Sequence, residues 1–143
     1  MYSRPISAIT REKTPVIVGT TQSITEAASA MKQQGEGVAL VIENNKAVGI
    51  LTRSDIVERV VAAGKNPGTT EVAEAMTRNP VVIRDHCSVG HALYLMHEYG
   101  VHYVPVIGET GPLCIIHIAD ATAVDLSEYA HDADILDQIA ELL

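Results

Sequence analysis

Pro15-Val-Ile-Val18 comes back as Pro80-Val-Val-Ile83, 65 positions further along a chain of 143 residues. Extending that register lays residues 14–59 over residues 79–124 without a gap. The identities run through the whole unit: Ser23/Ser88, Ala27/Ala92, Met31/Met96, Gly35/Gly100, Val41/Val106, Ile42/Ile107, Ile50/Ile115 and Asp55/Asp120. Between them apolar residues answer apolar ones, as in Ile24/Val89 and Leu51/Ile116. Two copies of one supersecondary unit account for the pattern.

Within the first copy, the apolar run Pro15–Val18 reads as a short buried strand. Ser23-Ile-Thr-Glu26 is a capping box opening a helix, and Ile24, Ala27, Ala28 and Met31 follow at helical spacing up to Gly35. Val38–Glu43 and Ala47–Thr52 are rich in β-branched residues and are joined by Asn44-Asn45, the signature of a hairpin. A second helix is predicted over Arg53–Ala63, stopped by Gly64 and the turn at Pro67-Gly68. The second copy repeats the order with strand Val81–Arg84, helix Ser88–Tyr99, strands Tyr103–Ile107 and Leu113–His117, and a helix from Ile118.

The fold class is therefore α/β in the α+β sense, two tandem β-α-β-β-α repeats. A three-stranded sheet with both helices on one face cannot close a core alone, so the two sheets are expected to pack together with pseudo-two-fold symmetry. This divides the chain into residues 1–66, the first repeat with its lead-in, and residues 67–126, the second repeat with its linker. Residues 127–143 remain, with Leu136, Ile139, Ala140 and Leu143 on one face of a C-terminal amphipathic helix. The acidic opposite face of that helix suits packing or dimerisation better than an anionic membrane.

Composition removes several function classes. Eighteen acidic against ten basic residues give a net charge of −8, which repels nucleic-acid backbones, and there is no Trp or Phe on which bases could stack. Nucleic acid is not an expected partner, and neither is a membrane, because no apolar run approaches a bilayer span. The start of the chain lacks the apolar stretch of a signal peptide, so a cytoplasmic location is expected. Cys87 and Cys114 form no disulfide framework and read as small buried hydrophobes, and no metal-ligand spacing occurs. No catalytic dyad is found, and the chain is read as a sensor and not an enzyme.

The chemistry concentrates at the strand-to-helix junction Gly49-Ile-Leu-Thr52-Arg-Ser-Asp55. Gly49 would let a ligand approach the strand backbone, Thr52 offers a hydroxyl, and Asp55 can accept two hydrogen bonds from vicinal hydroxyls such as those of a ribose. The competing reading is structural: Thr-x-x-Asp at a helix start is also a capping box that needs no ligand. In the second copy the stretch is Cys114-Ile-Ile-His117-Ile-Ala-Asp120. The aspartate there persists without the threonine, which favours a ligand role for it.

With Gly49–Asp55, the segment Met76-Thr-Arg-Asn-Pro-Val-Val-Ile83 and Val101-His-Tyr-Val-Pro-Val106 in this order and duplicated, the chain resembles the cystathionine-β-synthase (CBS) domain family, as a tandem pair or Bateman module. The resemblance covers about residues 6 to 126. It implies a non-catalytic regulatory module that binds AMP, ADP, ATP or S-adenosylmethionine in the cleft between repeats and reports to an attached or separate protein partner. No cofactor is required, the adenosyl nucleotide being the regulatory ligand. Few bases stand near either junction, so AMP ranks ahead of ATP. By the same resemblance Asp55 would hold the ribose hydroxyls, with Thr52 and Ser54 beside the ribose and phosphate. Pro80, Val81 and Val82 would meet the adenine, His102 the phosphate, and Tyr103 would stack or pack nearby.

A second, degenerate site around Asp120 would use Val16 and Ile17 for the base, with His117 in place of threonine. Cys114 in place of glycine and Gly37 in place of His102 further weaken it. The resemblance also implies a two-fold homodimer. The alternative function is a structural dimerisation or protein-interaction module whose nucleotide site is vestigial.

Overall fold

Asn44 and Asn45 both hold left-handed backbone, with φ of 52° and 59°. Two successive positive φ values make the turn whose twist matches a tight hairpin, and asparagine tolerates them. They join β2 (Val38–Glu43) to β3 (Lys46–Thr52) in antiparallel register, Leu40 opposite Ile50 and Glu43 opposite Lys46. The computed structural model describes residues 4–10 and 14–121, and the C-terminal segment expected to form an amphipathic helix lies outside them.

β1 (Ile17–Gly19) runs parallel to β2, and the connection is α2 (Ile24–Gln34). Ser23 Oγ accepts the Glu26 amide at 3.1 Å, and Gly35 closes the helix at φ 67°. The Glu26 carboxylate meets the Ser23 hydroxyl, not the Ser23 amide, so the expected capping box is half formed. Ile24, Ala27 and Met31 face a core that also contains Val16, Val18, Ala39, Val41 and Leu51. Each such side chain contributes about 1.5–3 kcal/mol when fully buried. Leu40 is also fully buried although it points to the opposite face, so β2 is covered on both sides and reads as a continuous apolar run.

The expected second helix begins as α3 (Arg53–Ile56) and widens into a π-helical turn over Val57–Val61. Beyond Val61 the chain turns and passes into α4 (Val72–Ala75) and then β4 (Thr77–Arg78). β4 adds to β3 with Gly49 opposite Arg78 and Ile50 opposite Thr77, making a four-stranded sheet in the order β1-β2-β3-β4. Sequence patterning leads to three strands; a two-residue strand whose partner is set by tertiary contact carries no periodicity to read.

The second repeat has β5 (Ile83–Arg84) parallel to β6 (Tyr103–Gly108), β6 antiparallel to β7 (Gly111–His117), and α5 (Val89–Tyr99) between β5 and β6. Ser88 caps α5 by accepting the His91 amide, and Gly100 ends it in left-handed backbone. Val89, Ala92, Leu93, Met96, Val104, Val106, Cys114 and Ile116 form the second core. A short 3-10 turn, Ile118–Asp120, follows β7. Both repeats are thus mixed α+β, each on its own sheet.

The linker packs on the first repeat and the N-terminal arm on the second. In the linker, the Val72 amide donates to Gln22 and the Ala73 amide to Thr20, while the Thr70 carbonyl accepts the Ile24 amide. Val72 is fully buried in the first core. In the N-terminal arm, which contains α1 (Ser7–Thr10), the Ile6 amide donates to Cys87 and the Arg4 carbonyl accepts the Val89 amide. Ile6 is fully buried in the second core. By their contacts the described residues group as 14–80 and as the arm with residues 81–121. Each segment brings buried hydrophobic residues and backbone hydrogen bonds to the region of the helix N-terminus it meets, Ile6 from the arm and Val72, Ala75 and Met76 from the linker. Among the described residues no helix is long and apolar enough to cross a membrane.

Candidate functional site

Thr52 ends β3 in extended backbone and caps α3. Its Oγ1 accepts the Asp55 amide at 3.1 Å, and Asp55 Oδ2 accepts the Thr52 amide at 2.9 Å, so the reciprocal box is complete. The Arg53 amide is satisfied by the Gly37 carbonyl at 3.1 Å. Asp55 is buried, 7% exposed, while Ser54 beside it is open to solvent. A buried carboxylate needs partners to offset its desolvation. Two more are supplied by residues the sequence reading did not single out. The Thr77 hydroxyl donates to the carboxylate, 3.3 Å from Oδ1 and 3.5 Å from Oδ2, and Arg59 Nε stands 4.0 Å from Oδ1. Thr77 lies in the Met76–Pro80 segment quoted for its resemblance alone; Arg59 sits one helical turn after Asp55, a spacing that signals an ion pair.

Gly49 does not face an open approach. A Cβ built there would lie 2.7 Å from Met76 Sδ and 2.8 Å from the Thr77 carbonyl oxygen. The glycine is required by the close pairing of β4 along the edge of β3, a packing role beside the one the sequence reading gave it. The corresponding Cys114 is buried against the second core, in a sheet that among the described residues has no strand beyond β7.

The second junction is also fully capped. Asp120 Oδ2 accepts the His117 amide at 2.8 Å, and His117 Nδ1 accepts the Ala119 amide at 3.1 Å. The aspartate has therefore not lost its capping partner: an imidazole nitrogen does what the threonine hydroxyl does in the first copy. Asp120 thus has a capping role that accounts for its presence without a ligand. The Ile118 amide donates to the His102 carbonyl at 3.0 Å, repeating the Arg53–Gly37 contact. The His117 ring packs on Tyr103 at 4.7 Å between centroids and stacks beside His102 at 6.4 Å.

The structure thus gathers Thr52, Ser54 and Asp55 at one junction and His102, Tyr103, His117 and Asp120 at the other. Pro80 is half-buried just after Asn79, whose φ is 48°. Val81 and Val82 precede β5 in irregular backbone, with Val82 exposed. Val16 places its side chain in the first core, leaving Ile17 as the exposed neighbour. Among the described residues no group of three or more His, Cys, Asp or Glu side chains could hold a metal ion.

A family model of the CBS domain matches residues 6–62 and again residues 72–126. The chain belongs to the CBS domain family. As a tandem CBS pair it is 32% identical over 110 residues to the CBS domain-containing protein YhcV of Bacillus subtilis, covering 77% of this chain and 78% of that one. It is 33% identical over 120 residues to the meiotically up-regulated gene 70 protein of Schizosaccharomyces pombe, covering 81% of this chain but 16% of the yeast protein. An uncharacterized Methanopyrus kandleri relative is 31% identical over 113 residues, with 77% of this chain and 58% of that protein covered. This CBS pair therefore spans only part of the length of several relatives. Among solved structures, the CBS domain protein PAE2072 of Pyrobaculum aerophilum shares the fold with a TM-score of 0.78 at 21% identity, covering 90% of this chain and 99% of that one.

Proposed function

We propose that this CBS pair is a regulatory module, not an enzyme, that binds an adenosine-containing ligand at the Asp55 junction and signals occupancy to a protein partner. The observation that carries the reading is the unspent acceptor capacity of Asp55. A carboxylate offers about four lone-pair directions. The Thr52 amide takes one, and the single Thr77 hydroxyl proton takes one more. Two remain, enough for the vicinal hydroxyls of a ribose, so the aspartate can cap its helix and hold a diol together. Ser54, exposed beside it, and Thr52 would border the ribose and phosphate. The family resemblance adds Pro80, Val81 and Val82 for the adenine and His102 and Tyr103 near the phosphate.

AMP is the favoured ligand among AMP, ADP, ATP and S-adenosylmethionine, since a net charge of −8 disfavours a triphosphate. The Pyrobaculum structure of the same fold is a complex with AMP. We further propose that the pair is cytoplasmic and assembles as a two-fold homodimer, which light scattering at micromolar concentration would show as twice the chain mass.

The second reading, a dimerisation module with a vestigial site, is favoured by the completeness of both capping boxes without any ligand. A thermal-shift screen of AMP, ADP, ATP, NAD and S-adenosylmethionine separates the two. A ligand at 100 times its dissociation constant adds about 2.7 kcal/mol, and a melting temperature unmoved by all five would leave the structural reading standing.

A further inference from the structure

Arg59 does more than balance a buried charge. Its Nη1 donates to the carbonyl of Ala75 at 3.2 Å and to that of Met76 at 2.8 Å, while its Nε stands 4.0 Å from Asp55 Oδ1. Those carbonyls end α4, where a cation is favoured and orphan acceptors need donors. The next residue along is Thr77, whose hydroxyl donates to the same Asp55 carboxylate. The linker is thus fastened to Asp55 twice within three residues, once through the guanidinium and once through the hydroxyl. The Arg59 side chain is 48% exposed against 10% for Asp55, so burial in the core does not dictate where it points. A lysine, a single point donor, could not face the carboxylate through one nitrogen and span two carbonyls through another.

We propose that Arg59 is a positioning residue that sets the linker, α4 and β4, against the Asp55 carboxylate, and that the linker is the element that responds to the state of this carboxylate. The division of labour on Asp55 supports this. Oδ2 is committed to the Thr52 amide at 2.9 Å, whereas the Oδ1 contacts of Thr77 and Arg59 are longer, at 3.3 and 4.0 Å. A hydroxyl arriving at Oδ1 shares the oxygen that Thr77 and Arg59 face, and so bears on the linker's hold while leaving the helix cap alone. The ligand arm of the test rests on the adenosyl reading; the ligand-free arm does not.

The test is amide hydrogen exchange on the full chain, read at residues 72–79 and, as an internal control, at the β2 amides. Without ligand, Arg59→Met and Asp55→Asn should each speed linker exchange roughly tenfold, the loss of one charge-assisted contact of about 1.4 kcal/mol, with β2 unchanged. Arg59→Lys should restore the charge but not linker protection. Linker exchange at the wild-type rate in both Arg59→Met and Asp55→Asn would overturn the proposal, as would full rescue by lysine. With AMP, linker exchange should change in the wild type and stay unchanged in Arg59→Met; an equal response in both would also overturn it. If AMP does not bind the wild type at all, the adenosyl reading fails, and the ligand-free arm still decides the role of Arg59.

Discussion

Gly49 and Met76 stand so close that a Cβ on the glycine would lie 2.7 Å from the methionine sulfur. The contact exists because β4 pairs along the edge of β3, and the Thr77 carbonyl lies 2.8 Å from the same built Cβ. Backbone on one side cannot yield as a flexible side chain would. Gly49→Ala should therefore destabilise the chain by about 1–3 kcal/mol, the usual cost of overpacking. Urea denaturation followed by circular dichroism would register this as a lower midpoint with an unchanged slope. A wild-type midpoint would mean that β4 is not held against β3.

Ile6 gives the docking of the N-terminal arm on the second repeat its energetic weight. It is fully buried among side chains of the second core although it stands 77 positions before the β5 core residue Ile83. Ile6→Ala should cost about 2–5 kcal/mol by lost burial and the cavity left behind. The place where the loss appears is more telling than its size. Hydrogen exchange should rise in α5 and β6 and stay at the wild-type rate in α2 and β2, and the reverse distribution would assign the arm to the first repeat.

The repeat, the hairpin and both long helices were legible because each rests on local chemistry. Asn44-Asn45 admits the positive φ values its turn needs, and Ser23, Ser88, Gly35 and Gly100 mark helix ends by hydrogen bonds made within a few residues. What local chemistry cannot specify was not legible. β4 is two residues long, and its place depends on which strand edge it meets. The destination of the arm and linker depends on which helix N-terminus each reaches, and both termini look alike in sequence. At the site, Thr52 and Asp55 were readable from spacing, whereas Thr77 meets Asp55 from 22 residues away.

His117 supplies a check on the substituted cap. Its Nδ1 accepts the Ala119 amide while Asp120 accepts the His117 amide, so His117→Ala should cost about 0.5–2 kcal/mol, the range for loss of a cap residue. His117→Thr, which recreates the pairing of Thr52 with Asp55, should recover most of that in chemical denaturation. If threonine were no better than alanine, the imidazole would be contributing through its packing on Tyr103 and His102 rather than through the cap.

The two junctions should differ in ligand binding for the same reason. At Asp55 the cap residue is a small threonine, and the neighbouring position, Gly37, presents no side chain. At Asp120 the cap residue is a bulkier imidazole, packed on the Tyr103 ring at 4.7 Å and stacked beside His102 at 6.4 Å, so the group next to the carboxylate is held by its neighbours. A ribose there would have to displace rings from each other before its hydroxyls met an acceptor, and unstacking an aromatic pair costs about 0.5–1.5 kcal/mol beyond the area exposed. Calorimetric titration with AMP should accordingly give one site per chain. Asp55→Ala should weaken that site by at least roughly tenfold, since a hydrogen bond to a charged acceptor contributes about 1.5–3 kcal/mol. Asp120→Ala should leave the affinity within roughly twofold of wild type, well under 1.4 kcal/mol, while lowering stability through its lost cap. Two equivalent sites per chain, or binding lost with Asp120 and kept without Asp55, would reverse the assignment of the working site.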